Sequence, residues 1–333
     1  MSKPLISIII PVLNGEQYLG NCFKNIENQN YDNLELVFID NNSSDNSNNI
    51  IKEYCNNIPN RKIIICEKKG PSASRNLGLK LCRGEYVSFL DVDDEILPNK
   101  FNILLTAFKK YPDIGMAIGH TYKYYQNGIK KLIDLGELKI GINDPPFSGM
   151  LWLRQFQHHP HISSSLIKKK SLNPGINFPE QLKFGEDVAF SIKIGLNNKV
   201  YFCNELVSIY HRHGNSAISI ANKKISNTER YFQFYENFAL KYFKKNNQDN
   251  IYQMAYGECS RMAFDILFKL VKNESKIHYM KNLRYLINKG LLTYSLYQYL
   301  LYILLPYKWA NYIFFKYQDI KIRFSKDIFN FGK

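Results

Sequence analysis

The sequence is poor in covalent staples. Its six cysteines in 333 residues, Cys22, Cys55, Cys66, Cys82, Cys203 and Cys259, form no C-x-x-C pair and no framework spacing. Most lie inside apolar patterns. That argues against a disulfide scaffold or a cysteine-bound zinc and reads as small buried hydrophobes in a reducing compartment. No leader peptide is expected either. The apolar run LISIIIPVL, from residue 5, is too short to cross a bilayer and gives way to turn residues. No internal repeat and no low-complexity linker occurs, so a solenoid or tethered array is not expected. Acidic residues are scarce in one region only. Residues 221–333 hold 8 acidic and 19 basic side chains, against 21 and 25 in residues 1–220. The net charge of +15 therefore belongs mostly to the last third. A basic, aromatic-rich segment suits an anionic membrane surface, nucleic acid or a phosphorylated substrate.

What is present is a sizeable apolar fraction, 45%, enough for a large core. The length suggests one large domain with an appendage, or two domains. Short β-branched runs at 5–10, 34–39, 62–66 and 86–90 alternate with helix-like stretches at 16–27, 46–56 and 72–82. This is the pattern of βαβ units and a mostly parallel sheet, which places strand C-termini along one ligand-binding edge. Further on, IGMAIGHTYKYYQNGIKKLI reads as a strand and hairpin turning at Asn127-Gly128. HISSSLIKK reads as a strand and GEDVAFSIKIGL as a helix with Glu186 and Asp187 in its first turn. KVYFCNELVSIYHRH supplies one or two more strands. After residue 220 strand signals stop and helical periodicity takes over, with aromatics at Tyr231, Phe234, Tyr235, Phe238, Tyr242 and Phe243. Residues 290–307 carry no charge, but their tyrosines, Ser, Thr and Gln fit a buried or interfacial helix better than a span. The expected division is 1–220, an α/β domain, and 221–333, a basic, aromatic helical region suited to a membrane surface.

The residues just past the strand-like runs carry the chemistry: Pro11-Val12-Leu13-Asn14, Asp40-Asn41-Asn42, Glu67 to Gly70 and Asp91-Val92-Asp93-Asp94. A D-x-D triplet at a sheet's ligand edge suits Mg²⁺ or Mn²⁺, which take carboxylates and substrate phosphates as ligands. Asp94 and Glu95 could instead start the helix that Pro98 introduces. His158, His159 and His161 have no Cys or acid at ligand spacing, so zinc is disfavoured. Their place between Asp93 and Asp187 suits an acceptor pocket, where Trp152 could stack on a sugar.

Four blocks, ISIIIPVLNGEQYL, LELVFIDNNSSDNS, GPSASRNLGLKLCRGEYVSFLDVDDEI and FGEDVAF, together resemble the inverting nucleotide-sugar glycosyltransferases of family 2, across roughly residues 4–216. The resemblance implies a GT-A fold (an α/β, Rossmann-like, mostly parallel sheet flanked by helices), a nucleotide-diphosphate sugar donor with UDP the expected nucleotide, and a divalent cation, Mn²⁺ or Mg²⁺. By the same resemblance, Pro11, Val12, Leu13 and Asn14 form the first nucleotide-binding turn. Leu13 replaces the usual Tyr. Asp40 binds the base, although Asn41 and Asn42 replace the Asp and Gly that often follow. Arg75 reaches the donor nucleotide and its phosphates, Asp91 the ribose, and Asp93 with His213 the metal. Asp187 is the catalytic base beside Glu186. His211 competes with His213, and Asp94, Glu186, Trp152 and His211 are expected to contact donor or acceptor sugars.

These roles fit the chemistry of inverting transfer, which needs a base for the acceptor hydroxyl and neutralisation of the departing diphosphate. The expected function is hexosyl or N-acetylhexosaminyl transfer to a glycan or lipid-linked acceptor in surface polysaccharide synthesis. The expected location is cytoplasmic, peripheral on the inner face of the cell membrane. Three other readings differ in what they require. A nucleotidyltransferase needs a Gly-rich, Lys-bearing phosphate loop where this chain has PVLNGEQ. A nucleic-acid binder needs a basic ligand edge, whereas this edge is acidic. An inactive nucleotide- or sugar-binding scaffold has no need of the acid in GED.

Overall fold

The computed structural model describes residues 3–182, 184–212, 233–246, 251–252 and 255. The chain divides into two compact units, Met1–Glu258 and Cys259–Lys333. All described residues belong to the first. Residues 290–307 and most of the basic C-terminal region lie outside them, as does His213.

The β-branched runs form β1 (Ile6–Val12), β2 (Leu34–Asp40), β3 (Arg61–Ile65) and β4 (Tyr86–Phe89), separated by α1 (Glu16–Glu27), α2 (Ser47–Cys55) and α3 (Pro71–Leu81). β3, β2, β1 and β4 pair in parallel in that spatial order. Both faces of β1 are covered: Ile6, Ile8, Ile9 and Ile10 have no exposed surface. A central strand buried on both sides can therefore be continuously apolar rather than alternating.

The second half breaks the parallel pattern. After β5 (Glu95–Ile96) and α4 (Lys100–Lys110) come β6 (Ile114–Tyr125), β7 (Lys130–Leu132), β8 (Gly141–Asn143), α5 (Phe147–Arg154), β9 (Ser165–Lys168), α6 (Glu186–Asn197) and β10 (Lys199–Arg212). β9 is inserted antiparallel between β4 and β6, and β10 pairs parallel to β6. β5 and β8 pair antiparallel with β10, and β7 with β6. The exits of β1, β2, β4, β6 and β10 thus share one sheet edge.

The hairpin expected at Asn127-Gly128 forms there, with Gly128 at φ 83° and its N–H donating to the Tyr125 carbonyl. The helix start expected at Asp94 and Glu95 does not form. Glu95 and Ile96 join the sheet opposite Ile209 and Ser208, and α4 begins at Lys100. The pairing with β10, continued by the Leu97 N–H donating to the Val207 carbonyl, holds this segment extended, so the helix starts only after it.

Close packing fixes α3. A Cβ added to Gly78 would lie 2.4 Å from Ile9 Cγ2, so the helix rests directly on β1. Arg75, nearly one turn earlier, is carried inward with it. Residues Phe234, Tyr235, Phe238 and Phe243 are buried. The Tyr235 hydroxyl donates to the Leu153 carbonyl at the end of α5, and Lys193 of α6 lies 5.0 Å from the centre of the Tyr242 ring. A π turn, Tyr235–Ala239, runs into α7 (Leu240–Lys245) over this surface.

Candidate active site

The exits of β1 and β2 are stitched into one surface. Asn14 and Asn42 take positive φ, 51° and 61°, a conformation Asn tolerates better than most residues. The Asn14 N–H donates to Ser43 Oγ (3.0 Å), and the Ser44 N–H donates to Asn14 Oδ1 (2.7 Å). Asp40 is buried. Its Oδ1 accepts from the Ser43 hydroxyl (2.5 Å) and its Oδ2 from Asn48 (3.0 Å). Asn41 binds the Cys66 and Lys68 carbonyls and accepts from the Gly70 N–H. Three loops are therefore held together before any ligand arrives. Leu13 stands 58% exposed at their mouth.

Arg75 links the chemistry. Its Nη2 donates to Asp91 Oδ1 (2.7 Å) and its Nη1 to Glu186 Oε1 (2.9 Å). The guanidinium sits 5.4 Å from the Phe178 ring centre, and its Nε is buried without a hydrogen-bond partner. Burial alone would favour losing its proton, but Asp91 and Glu186 prevail and hold the group charged. The arginine expected at the donor phosphates thus joins the two acidic motifs, its bond to Glu186 reaching across 111 residues of sequence.

At the β4 exit, Asp91, Asp94 and His161 each offer a ligand atom within 4.8 Å of the others. Asp94 has almost no exposed surface. Ser163 Oγ donates to its Oδ2 (2.9 Å), and the His211 N–H lies 3.4 Å from its Oδ1. Burial, then the charges of Asp91 and Asp93, push its pKa well above the usual carboxylate value. His161 stacks on Tyr210 at 4.6 Å between ring centres. Its Nδ1 is buried without a hydrogen bond, and burial pushes its pKa down to about 4. Two carboxylates and a neutral imidazole with an unused nitrogen fit Mn²⁺ or Mg²⁺, Mn²⁺ accepting the nitrogen donor more readily. The triad brings in Asp94 and His161 where the sequence pointed to Asp93 and His213. Asp93 is not one of its three members.

Behind the triad lies a cation that the sequence reading missed. Lys100, fully buried, donates to Ser88 Oγ (2.6 Å) and to the Ser163 carbonyl (2.7 Å). Burial pulls its pKa down to about 7, against the pull of Asp94. A lysine at a helix start gives no signal in sequence that it will point inward.

The second acidic motif begins at Gly185, whose φ of 74° swings the chain into α6. Asp187 Oδ2 lies 3.4 Å from His159 Nε2, and His159 Nδ1 is 2.9 Å from the Phe156 carbonyl. Burial opposes the charged form of Asp187. The hydrogen bond and charge of His159, followed by the charges of Arg75 and His161, outweigh it and keep the carboxyl well below its usual range. Its neighbour Glu186 shifts upward, through burial and the charge of Asp187. The three clustered histidines part company: His158 turns to Asp134, His159 to Asp187 and His161 to the β4 exit. His211 contacts Glu95 (2.7 Å).

Trp152 is a correction. It has no exposed surface and packs where a Cβ on Gly195 would lie 2.9 Å from its ring. An indole enclosed between α5 and α6 presents no face to a sugar. Helical spacing in FSGMLWLR made it core.

A model of glycosyl transferase family 2 matches residues 7–173. The chain belongs to this family. Among its relatives, the minor teichoic acid biosynthesis protein GgaA of Bacillus subtilis (strain 168) is 28% identical over 238 residues. That match covers 68% of this chain and 51% of GgaA, so the chain spans about half the length of that relative. Among solved structures, S. aureus TarS 1-349 in complex with UDP-GlcNAc aligns with TM-score 0.59 at 20% identity, over 74% of this chain and 70% of that one. The mannosyltransferase PcManGT of Pyrobaculum calidifontis, in complex with GDP-Man and Mn²⁺, aligns at TM-score 0.52 and 15% identity, over 93% and 84%. The shared architecture is that of GT-A glycosyltransferases, a mixed sheet flanked by helices.

Proposed function

We propose that this family 2 member is an inverting glycosyltransferase. It moves a hexosyl or N-acetylhexosaminyl group from a UDP-sugar to a hydroxyl of a glycan or lipid-linked acceptor in surface polysaccharide synthesis. The observation that carries the reading is Arg75, which holds the donor-side acid Asp91 and the GED motif in one frame. The relatives named above, one in teichoic acid biosynthesis and one in complex with UDP-GlcNAc, support the substrate classes.

In this reading the stitched turns at Leu13, Asn14 and Asp40 receive the nucleotide. Arg75 gives up part of its carboxylate pairing to the incoming phosphates, whose geometry its fork matches. Asp187, held ionised by His159, accepts the proton of the acceptor hydroxyl as that oxygen bonds to the anomeric carbon from the face opposite the diphosphate and the bond from that carbon to the diphosphate oxygen breaks, releasing UDP with inversion. Asp91, Asp94 and His161 are the described residues that would hold Mn²⁺ or Mg²⁺, with Asp93 and His213 the alternatives by family resemblance. A bound divalent cation would offset the charge developing on the diphosphate.

Residues 233–246 of the basic region 221–333 pack on α5 and α6; the rest of that region would meet an anionic membrane surface, placing the enzyme on the inner face of the cell membrane. Among the described residues no helix is long and apolar enough to cross a membrane. The test is turnover of purified full chain with a panel of UDP- and GDP-sugars, Mn²⁺ and glycan acceptors. Release of UDP with formation of a product of opposite anomeric configuration is expected. Retention of configuration, or no turnover with any UDP-sugar, would overturn the assignment.

A further inference from the structure

The β6–β7 hairpin and the end of β10 form a second charged surface beside the site, opposite in sign. Lys123 on β6 stands directly across from Lys131 on β7, and across from Tyr210 on β10. Arg212 pairs with Tyr125. Because side chains alternate along a strand, Lys123, Tyr125, Lys131, Tyr210 and Arg212 fall on one face. Lys123 Nζ lies 5.5 Å from the Tyr125 ring centre and 5.7 Å from that of Tyr210, and the Arg212 guanidinium lies 5.9 Å from Tyr125. None of these three cations has a carboxylate within ion-pair distance among the described residues.

Like charges placed directly opposite on a sheet destabilise it. The repulsion is tangible at Lys123, where burial and then the charge of Arg212 favour the neutral amine. A face that gathers three cations without a carboxylate partner among the described residues, two of them over tyrosine rings, is suited to an anion. The anion is located by Tyr210, which stacks on His161 of the acidic triad. The basic face therefore begins where the acidic cluster ends. It lies across that cluster from the turns at Leu13 and Asp40, since β4 and β9 stand between β1 and β6 in the sheet.

The geometry points to a seat for the phosphodiester backbone of the acceptor, an anionic polyol-phosphate or phosphoglycan chain, on the Lys123–Lys131–Arg212 face. This rests on the glycosyltransferase reading and adds the acceptor's chemical class. The cations hold successive phosphates while the tyrosines pack on the intervening carbon chain. A hydroxyl of the same chain is thereby directed toward Asp187. The donor's own diphosphate is served by Arg75 and the triad, on the other side.

The test titrates full-length protein with a synthetic glycerol-phosphate oligomer, an uncharged glycan of similar length, anionic phospholipid vesicles and single-stranded RNA. UDP with Mn²⁺ is titrated in parallel. The expected result is selective, salt-sensitive binding of the oligomer. That binding should weaken on the order of tenfold or more in K123Q/K131Q/R212Q and persist in the charge-keeping K123R/K131R. Equal binding by the triple variant, loss in the charge-keeping variant, or tighter binding of vesicles or RNA through these residues would overturn the inference. Binding of UDP without the oligomer sinks the acceptor seat alone. Failure to bind any nucleotide sinks the glycosyltransferase reading beneath it.

Discussion

Two buried carboxylates, Glu35 at the start of β2 and Asp94 past the end of β4, have opposite electrostatic fates. The Glu35 side chain is 1% exposed and fully answered. It accepts from Ser7 Oγ (2.5 Å), Lys62 Nζ (2.9 Å), the Arg83 N–H (2.7 Å) and Arg83 Nε (2.8 Å). Burial pushes its pKa up, but these partners bring it down to about 2. Asp94 is as buried, yet its hydrogen bonds among the described residues are a hydroxyl and a long backbone contact, with His161 Nδ1 3.5 Å away and two more acids beside it. Its pKa goes the other way. A buried acid surrounded by donors is structure, whereas a buried acid left among acids is a candidate ligand for an external cation. Glu35 lies at the sheet's far end from the ligand edge, and Asp94 lies on that edge.

The most severe way to probe the functional side is Asp187→Asn. It should lower transfer by about 10²–10⁴-fold, the usual worth of a general base, while UDP binding persists. Turnover and a UDP titration on the same protein check this; full activity would remove Asp187 as base. Glu35→Gln attacks the structural side. Leaving Arg83 and Lys62 with a neutral partner should cost on the order of 3 kcal/mol, read from urea melts, with no change in Mn²⁺ affinity.

Acid sharpens the contrast without mutation. Glu35 has a folded-state pKa below its unfolded value, so its contribution is fully present above about pH 4.5 and is lost as pH falls toward about 2. The stability gap between wild type and Glu35→Gln should close by about 2–3 kcal/mol across that window. A gap that stayed constant would mean the carboxylate's charge is not what matters. Asp94→Asn should do the reverse of Glu35→Gln. In metal-free protein it changes stability by less than about 1 kcal/mol or raises it, since a raised pKa means the charge is a burden there. It should weaken Mn²⁺ binding, measured by calorimetry, by about tenfold.

Much of this fold was legible because its elements depend on local pattern. The β-branched runs became β1 to β4, Asn127-Gly128 became the hairpin, and the acids of GED opened α6. The site was legible as motifs but not as partners. Arg75 reads as a donor contact in SASRN, yet its frame with Asp91 and Glu186 needs α3 seated on β1 at Gly78. His159 and His161 read as one group of histidines, two residues apart, and the chain turns them to different acids. Trp152 reads as a candidate sugar platform only until α6 is packed against it.

By itself the sequence determined where strands and helices alternate, which turns lie at the ligand edge, and that this edge is acidic. Those follow from periodicity and from residue types whose backbone preferences act within a few positions. Tertiary structure alone decided which acid is met by cations and which is left among other acids. The charge state of a buried group is set by neighbours from distant segments, Arg83 and Lys62 for Glu35, and Asp91, Ser163 and His161 for Asp94. Only the packed sheet brings those neighbours within reach.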